Sequence, residues 1–229
     1  MNPRSSLPTT AVVGLTAVLL LAGCGGGDGD GDGDGDDGAK VADKASSAST
    51  TTGASASASP SASASAPSDG RPEISLPADD TLTFTPEQDS DPVKDAILKD
   101  NAEFVRALDA AIVAQNPRLP ALEYYTEGEG AVAAQDWVQS FKKAGWTVTG
   151  TVRYTDRQVS VESKDRASLT YCGDESKGYT KVIKTGVIEH TKVTKNSYVA
   201  YGAQVQKNDK GVWELVKIAS TRGADKCQP

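Results

Sequence analysis

Few residues of this 229-residue chain carry side chains suited to acid–base chemistry. The single histidine is His190, and its neighbours Glu189 and Thr191 favour an exposed side chain over a general base. Asp174 and Glu175 are the best pair of adjacent carboxyls, but neighbouring residues on a strand point to opposite faces. Paired acid–base chemistry needs two carboxyls that converge. We therefore predict no catalytic residue and interpret the two acids as turn or salt-bridge residues.

Motifs for nucleotide, phosphate or zinc chemistry are absent from the sequence. It contains no GxSxG nucleophile motif, phosphate-binding loop, HExxH zinc motif or glycine-rich dinucleotide fingerprint. A zinc site of the usual composition needs several histidine or cysteine ligands. One histidine and cysteines without CxxC spacing do not supply them, so we predict no metal and no cofactor.

Cys24 follows an apolar segment near the amino terminus. The apolar run 11–22 has the length of a signal-peptide core and is shorter than the roughly 20 residues that span a bilayer. Arg4 supplies positive charge in front of it. The segment Leu21-Ala22-Gly23-Cys24 resembles the lipobox of bacterial lipoproteins, which implies a signal peptide over residues 1–23 and a diacylglyceryl group on the Cys24 sulfur. An ordinary secretory signal with a chance cysteine is the alternative.

The lipobox resemblance also implies a location. Two acyl chains anchor a protein stably to a membrane, whereas one chain is marginal. We expect a lipid-anchored protein at the extracytoplasmic face of the cell membrane. Its expected partners are the membrane itself and an envelope protein or wall component.

Residues 24–75 have the composition of a disordered tether. An Asp-Gly tract over 28–38 precedes a segment rich in Ala, Ser, Thr and Pro over 45–68. Neither part can bury enough apolar surface to offset the entropy of the chain. The Asp-Gly tract lacks the acid that a calcium loop needs at its twelfth position, where Ala39 stands, so we interpret it as an acidic spacer.

The charge balance argues against nucleic acid as a partner. The whole chain carries a net charge of −7. Residues 70–229 hold 21 basic and 23 acidic residues, a net charge of −2, without a basic stripe. Nucleic-acid-binding domains usually carry a basic face.

Residues 76–229 are predicted to form a single domain that begins with helices. Asp91 and Pro92 are a typical helix start, and Pro117 ends this helix near Asn116. Its apolar residues recur at intervals of four and seven and should share one buried face: Val93, Ile97, Phe104, Leu108 and Ile112.

Two further helices and a run of strands follow. A short helix is predicted near 119–126, and another from Ala131 to Ala144, capped by Gly145. The predicted buried stripe of the last helix is Val132, Trp137, Val138 and Phe141. Alternation with a period of two then predicts strands over 146–154, 159–161, 167–171, 198–206 and 212–220. Residues 177–195 fit either a short strand or a long loop.

Helices followed by antiparallel strands indicate an α+β fold, with helices packed on one face of a curved antiparallel sheet. The helix order, the strand run after Trp146, and the local segments 171–176 and 211–215 with Cys227 resemble nuclear transport factor 2-like, or SnoaL-like, domains over roughly residues 90–227. The chain is also similar to secreted lipoproteins of high-GC Gram-positive bacteria. The resemblance implies a cone-like cavity and allows a homodimer through the open sheet face. Some relatives are isomerases or cyclases, but no motif here transfers a catalytic residue.

Cys172 and Cys227 are the two cysteines left after Cys24. In an oxidising, extracytoplasmic compartment a disulfide between them is the natural pairing. Two free thiols are the alternative.

Five aromatic residues fall on the predicted strands. They are either core residues or the walls of a ligand pocket: Trp146, Tyr154, Tyr171, Tyr201 and Trp213. The tether, the fold and the missing motifs together favour a non-enzymatic, lipid-anchored binding or accessory domain. A lipoprotein that binds a small ligand or cell-wall fragment in a cone pocket is the first alternative, and an isomerase-type enzyme is the second.

Overall fold

A computed structural model describes residues 70–229 of the chain. The predictions for the signal peptide, for Cys24 and for the tether up to residue 69 concern residues outside this range. The predicted fold class is confirmed, because helices pack on one face of a curved, unclosed sheet. In chain order the elements are β1 (Asp80–Phe84), α1 (Pro92–Val113), α2 (Pro120–Tyr124), α3 (Gly128–Ala144), β2 (Trp146–Val161), β3 (Arg166–Val182), β4 (Ile188–Glu189), β5 (Tyr198–Lys207) and β6 (Trp213–Arg222).

Helix α1 begins where the sequence predicts it. The Asp91 side chain accepts a 2.8 Å hydrogen bond from the backbone N–H of Val93, which satisfies a free donor of the first turn. Ile97, Phe104 and Ile112 of the predicted stripe are buried. Val93 is exposed, because the first turn of the helix extends beyond the core.

Helix α3 buries half of the predicted stripe. Val138 is fully buried and Phe141 packs against the main apolar cluster, whereas Val132 and Trp137 are exposed. The other buried positions are the small residues Gly130 and Ala134. They face inward because the helix approaches β6 closely: a Cβ atom on Gly130 would lie 2.3 Å from the carbonyl oxygen of Leu215.

The sheet has the order β1-β2-β3-β5-β6, and β4 adds to β3 beside this path. Neighbouring strands are antiparallel except for β1, which runs parallel to β2 and pairs Asp80 with Gly150 and Phe84 with Tyr154. The sequence did not predict β1, because its five residues stand alone before the helices. A parallel partner for β2 is therefore an addition to the predicted antiparallel sheet.

Strand β3 is longer than predicted and continues to Val182. Part of the ambiguous segment 177–195 is therefore strand, paired with the start of β2. Asp174 and Glu175 lie inside β3 and not in a turn at its end, which corrects the predicted position of both residues. Their side chains contact different partners, as alternation along a strand requires.

Residues just before β1 contact the core of the domain. Arg71 forms an ion pair with the fully buried Asp100 of α1, and Ile74 packs against the main apolar cluster. The predicted boundary at residue 76 therefore assigns two core-contacting residues to the tether. Within residues 70–229 no helix is both long enough and apolar enough to cross a membrane.

The predicted disulfide is present in the structure. Cys172 of β3 is bonded to Cys227, with a Cα–Cα distance of 5.4 Å. The bond joins the carboxyl-terminal segment to the middle of the sheet.

Candidate functional site

A cavity of about 610 Å³ opens between the helices and the concave face of the sheet. Helices α1 and α3 supply apolar walls, and β2 and β6 supply more. The main apolar lining residues are Phe104, Leu108, Trp137, Phe141, Val148 and Ile218. A volume of this size accommodates a small organic molecule, and mostly apolar walls with a few polar groups are typical of ligand sites.

Three tyrosines form the aromatic wall of the cavity. Tyr171 and Tyr201 are directly opposite each other on β3 and β5, and their rings stack at 4.9 Å. Tyr154 of β2 meets the Tyr171 ring edge-on at 5.9 Å. Gly173 makes this cluster fit, because a Cβ atom there would lie 3.0 Å from the Tyr201 ring and 3.5 Å from the Tyr154 ring.

Glu175 is the carboxylate at the strand side of the cavity, and its charge is already neutralised. Its Oε1 accepts a 2.9 Å hydrogen bond from the Tyr201 hydroxyl, and its Oε2 lies 2.7 Å from the Arg222 guanidinium. Burial raises the pKa of Tyr201, and the Glu175 carboxylate raises it further. The tyrosine therefore stays protonated and donates to the acid at neutral pH.

Asp109 projects from α1 into the same cavity, where it is half-buried. No residue of the range 70–229 hydrogen-bonds its carboxyl group. Burial raises its pKa well above the ordinary value, and the nearby carboxylates of Asp80 and Glu175 raise it further. The Asp109 carboxyl therefore keeps its proton to a higher pH than an ordinary aspartic acid, and in its protonated form it can donate a hydrogen bond to a ligand.

Asp80, at the start of β1, is the third acid that lines the cavity. The residue is only 8% exposed, and its Oδ2 atom is buried without a partner among the described residues. Burial, followed by repulsion from Asp79, raises the pKa of Asp80 to about 6. A buried carboxylate oxygen without a donor is costly, and such groups cluster at functional sites.

The structure brings three of the five predicted pocket residues together. Tyr154, Tyr171 and Tyr201 line the cavity, whereas Trp146 and Trp213 do not. Trp146 is 43% exposed at the first position of β2, and Trp213 is buried in a separate apolar cluster with Ile97. The two tryptophans fail as pocket residues because each is the first residue of its strand, Trp146 of β2 and Trp213 of β6, beyond the part of the sheet that lines the cavity.

Neither His190 nor Asp174 belongs to the cavity lining. His190 is exposed just after β4, where its ring meets the Tyr179 ring edge-on at 4.5 Å. Asp174 forms an ion pair with Arg153 on the neighbouring strand. Among the described residues no group of three or more histidines, cysteines or acids is arranged to hold a metal ion.

Asp80 and Asp109 are the site residues that the sequence analysis missed. For Asp109 a signal existed, because the residue lies four positions after Val105 and three before Ile112, on the buried side of α1. An acid on an apolar helix face is a candidate for a cavity group. For Asp80 no such signal existed, since its burial depends on the unpredicted strand β1.

Comparisons with known proteins show limited similarity. The chain matches no protein-family model and no curated protein. A ketosteroid isomerase-like protein from Erwinia carotovora atroseptica is 15% identical with a TM-score of 0.39, over 58% of this chain and 97% of that one. A protein from Novosphingobium aromaticivorans, provisionally named scytalone dehydratase, is 10% identical with a TM-score of 0.35, over 57% and 89%. The intermembrane space region of the chloroplast protein ARC6 is 12% identical with a TM-score of 0.33, over 60% and 99%.

These likenesses carry no functional argument, because all three TM-scores are below 0.5. The chemistry of the site follows from its own residues. An apolar and aromatic cavity with the Asp109 carboxyl on one wall and the partnerless Asp80 carboxyl on another can enclose a small molecule and hydrogen-bond its polar group.

Proposed function

We propose that this protein is an extracytoplasmic lipoprotein, anchored through Cys24, whose folded domain binds a small, largely apolar molecule without transforming it. The observation that carries the proposal is the open cavity of about 610 Å³ that contains the carboxyl of Asp109. The tyrosines Tyr154, Tyr171 and Tyr201 line its wall and leave the space open, which supports the first alternative from the sequence over a plain accessory domain.

The proposed site has the parts that small-molecule recognition needs. Apolar walls supply the free energy of transfer from water, on the order of 25 cal/mol per Å² buried. The Asp109 carboxyl supplies orientation, because an unpaired polar group gains a partner only when a ligand offers one. An envelope partner that delivers or receives the ligand is part of the proposal.

The test uses the neutral, polarity-sensitive dye N-phenyl-1-naphthylamine. We expect its fluorescence to rise and saturate when the mature protein is added. Ser220→Trp should abolish the rise, because Ser220 lines the cavity, pairs with Tyr201 across the two strands and is exposed enough to accept a large side chain. Thr221→Trp is the matched control, since Thr221 is exposed on the same strand outside the lining. Equal dye binding by both variants would contradict the proposal.

Proton transfer on the bound molecule is the second candidate function. One observation favours it: a carboxyl with a raised pKa, such as that of Asp109, stands inside an apolar cavity, and such groups act as general acids or bases. Binding and catalysis differ in what Asp109→Asn changes. A binding protein shows altered affinity only, whereas an enzyme loses turnover of its substrate while retaining affinity.

A further inference from the structure

We propose that the cavity selects organic cations, so that its ligand is an apolar molecule carrying an ammonium group whose charge is neutralised by Asp80 and Asp109. This inference rests on the proposed function, because it names the ligand class of the same cavity. It starts from the balance of charged groups in the lining, where three acids stand against two bases.

Neither base of the lining neutralises the charge of Asp80 or Asp109. Arg222 is committed to Glu175 at 2.7 Å and also donates to the Asn196 carbonyl at 3.1 Å. Lys192 is exposed in the loop before β5, where water solvates its charge. Neither Asp80 nor Asp109 has an ion-pair partner among residues 70–229.

Asp80 is the independent sign that the lining suits a cation. The residue is more than nine-tenths buried, and its Oδ2 atom has no donor among the described residues. The neighbouring Asp79, just before β1, does have partners. Its carboxylate lies 3.1 Å from the Lys181 ammonium and accepts a 3.0 Å hydrogen bond from the Thr149 hydroxyl. A ligand ammonium would give Asp80 the partner that Asp79 already has.

The walls suit a cation as well as an apolar body. The rings of Tyr154, Tyr171 and Tyr201 border the cavity, and Phe104 and Trp137 border it from the helices. Aromatic faces attract cations through their quadrupole, most strongly where water is excluded, and they recognise quaternary ammonium groups. A carboxylate or phosphate ligand would instead meet like charges.

The titration of the lining acids predicts that binding of a cation releases protons. The pKa values of Asp80 and Asp109 are raised because each is buried near other acids. A bound cation favours the ionised carboxyls, so binding lowers both pKa values and releases protons. The stacked tyrosines do not contribute to this signal near neutral pH, since burial raises the pKa of Tyr171 to about 12 and also raises those of Tyr154 and Tyr201.

The experiment compares three compounds that share the same apolar naphthalene ring and differ in charge: 1-naphthylmethylammonium, 1-naphthylmethanol and 1-naphthylacetate. Each displaces the neutral dye from the full mature protein at pH 7. We expect the ammonium compound to bind about tenfold tighter than the alcohol, and the acetate to bind weakest. Calorimetry in two buffers of different ionisation enthalpy should show proton release for the ammonium compound only.

Variants assign the preference to the two acids. Asp80→Asn and Asp109→Asn should each reduce the ratio of ammonium to alcohol affinity, and the double variant should remove it. Asp136→Asn, an exposed acid on α3, should leave the ratio unchanged. These conservative changes keep the side-chain volume, and the comparison of compounds on the wild-type protein does not depend on any variant.

Each outcome decides one proposition. Equal binding of alcohol and ammonium, or tighter binding of the acetate, would overturn the cation inference and leave the ligand-binding function standing. Failure of the dye and of all three compounds to bind would overturn both.

Discussion

The Asp100 carboxylate accepts a 2.8 Å hydrogen bond from the backbone N–H of Trp213, 113 positions further along the chain. This bond ties the middle of α1 to the first residue of β6. Asp100 is fully buried, and its other oxygen pairs with Arg71. One acid therefore holds the segment before β1, the long helix and the last strand together, and the helix and the strand both line the cavity.

Asp100→Ala should destabilise the domain by about 2–4 kcal/mol, because it leaves a buried backbone donor and a guanidinium without a partner. The measurement is the urea midpoint of unfolding, followed by circular dichroism. Asp136→Ala, which removes an exposed acid from α3, is the control and should leave the midpoint nearly unchanged. An equal midpoint for both variants would show that the Asp100 contacts contribute nothing.

Asp80→Asn should stabilise the unliganded protein at pH 7. The folded pKa of Asp80 is about 6, above its ordinary value of 3.8, so the folded state binds the proton more tightly. Its destabilising effect is absent below about pH 4 and is complete above about pH 6, where it reaches about 3 kcal/mol at most. The advantage of the variant should therefore grow with pH in a series of urea titrations from pH 4 to pH 8.

Asp79→Asn is the matched control for this pH series. The hydrogen bond from Lys181 and that from Thr149 lower the pKa of Asp79. Its stabilising contribution is present at neutral pH and is lost as the pH falls through the lowered value. The Asp79 variant should lose stability at pH 7, opposite in sign to the Asp80 variant. The same sign for both would refute the contrast between the two neighbours.

Replacement of Cys172 and Cys227 together by alanine should lower the free energy of unfolding by up to about 4 kcal/mol. The bond closes a loop with a sequence separation of 55 residues, and its removal returns chain entropy to the unfolded state. Chemical denaturation of the oxidised, reduced and double-alanine proteins measures the effect. Intact mass of the exported protein gives a separate check, since two free thiols would contradict the bond.

Cys24→Ser should release the protein from the membrane fraction into the medium or leave it as an uncleaved precursor. The lipid on Cys24 is the proposed anchor, and two acyl chains bind a membrane far more strongly than a bare signal-peptide remnant. Fractionation with detection of the mature domain measures the change. Wild-type distribution of the variant would rule out lipid anchoring at this cysteine.

Patterns within single elements predicted much of the fold. The capping pair Asp91-Pro92 located the start of α1, Gly145 located the end of α3, and alternation located β5 and β6. These signals are local, since a cap or a period depends on neighbouring residues only. The disulfide was also predictable, because two cysteines in an oxidising compartment have one pairing.

Features that depend on tertiary approach were not predictable. The buried face of α3 is set by the contact of Gly130 with β6, which an apolar stripe cannot show. Burial of Asp80 requires β1 to pair with β2 across more than sixty residues of sequence. Trp146 and Trp213 share the strand pattern of the tyrosines, but they stand at the starts of β2 and β6, outside the part of the sheet that the cavity touches.

The most direct test of ligand binding in the cavity is a two-dimensional NMR titration of the full mature chain with N-phenyl-1-naphthylamine. We predict saturable shifts in the methyl groups of Leu108, Val148 and Ile218, which come from three elements around the cavity, and loss of these shifts in Ser220→Trp. Shifts confined to the exposed residues Ile183, Val187 and Ile188 would contradict a binding site in the cavity.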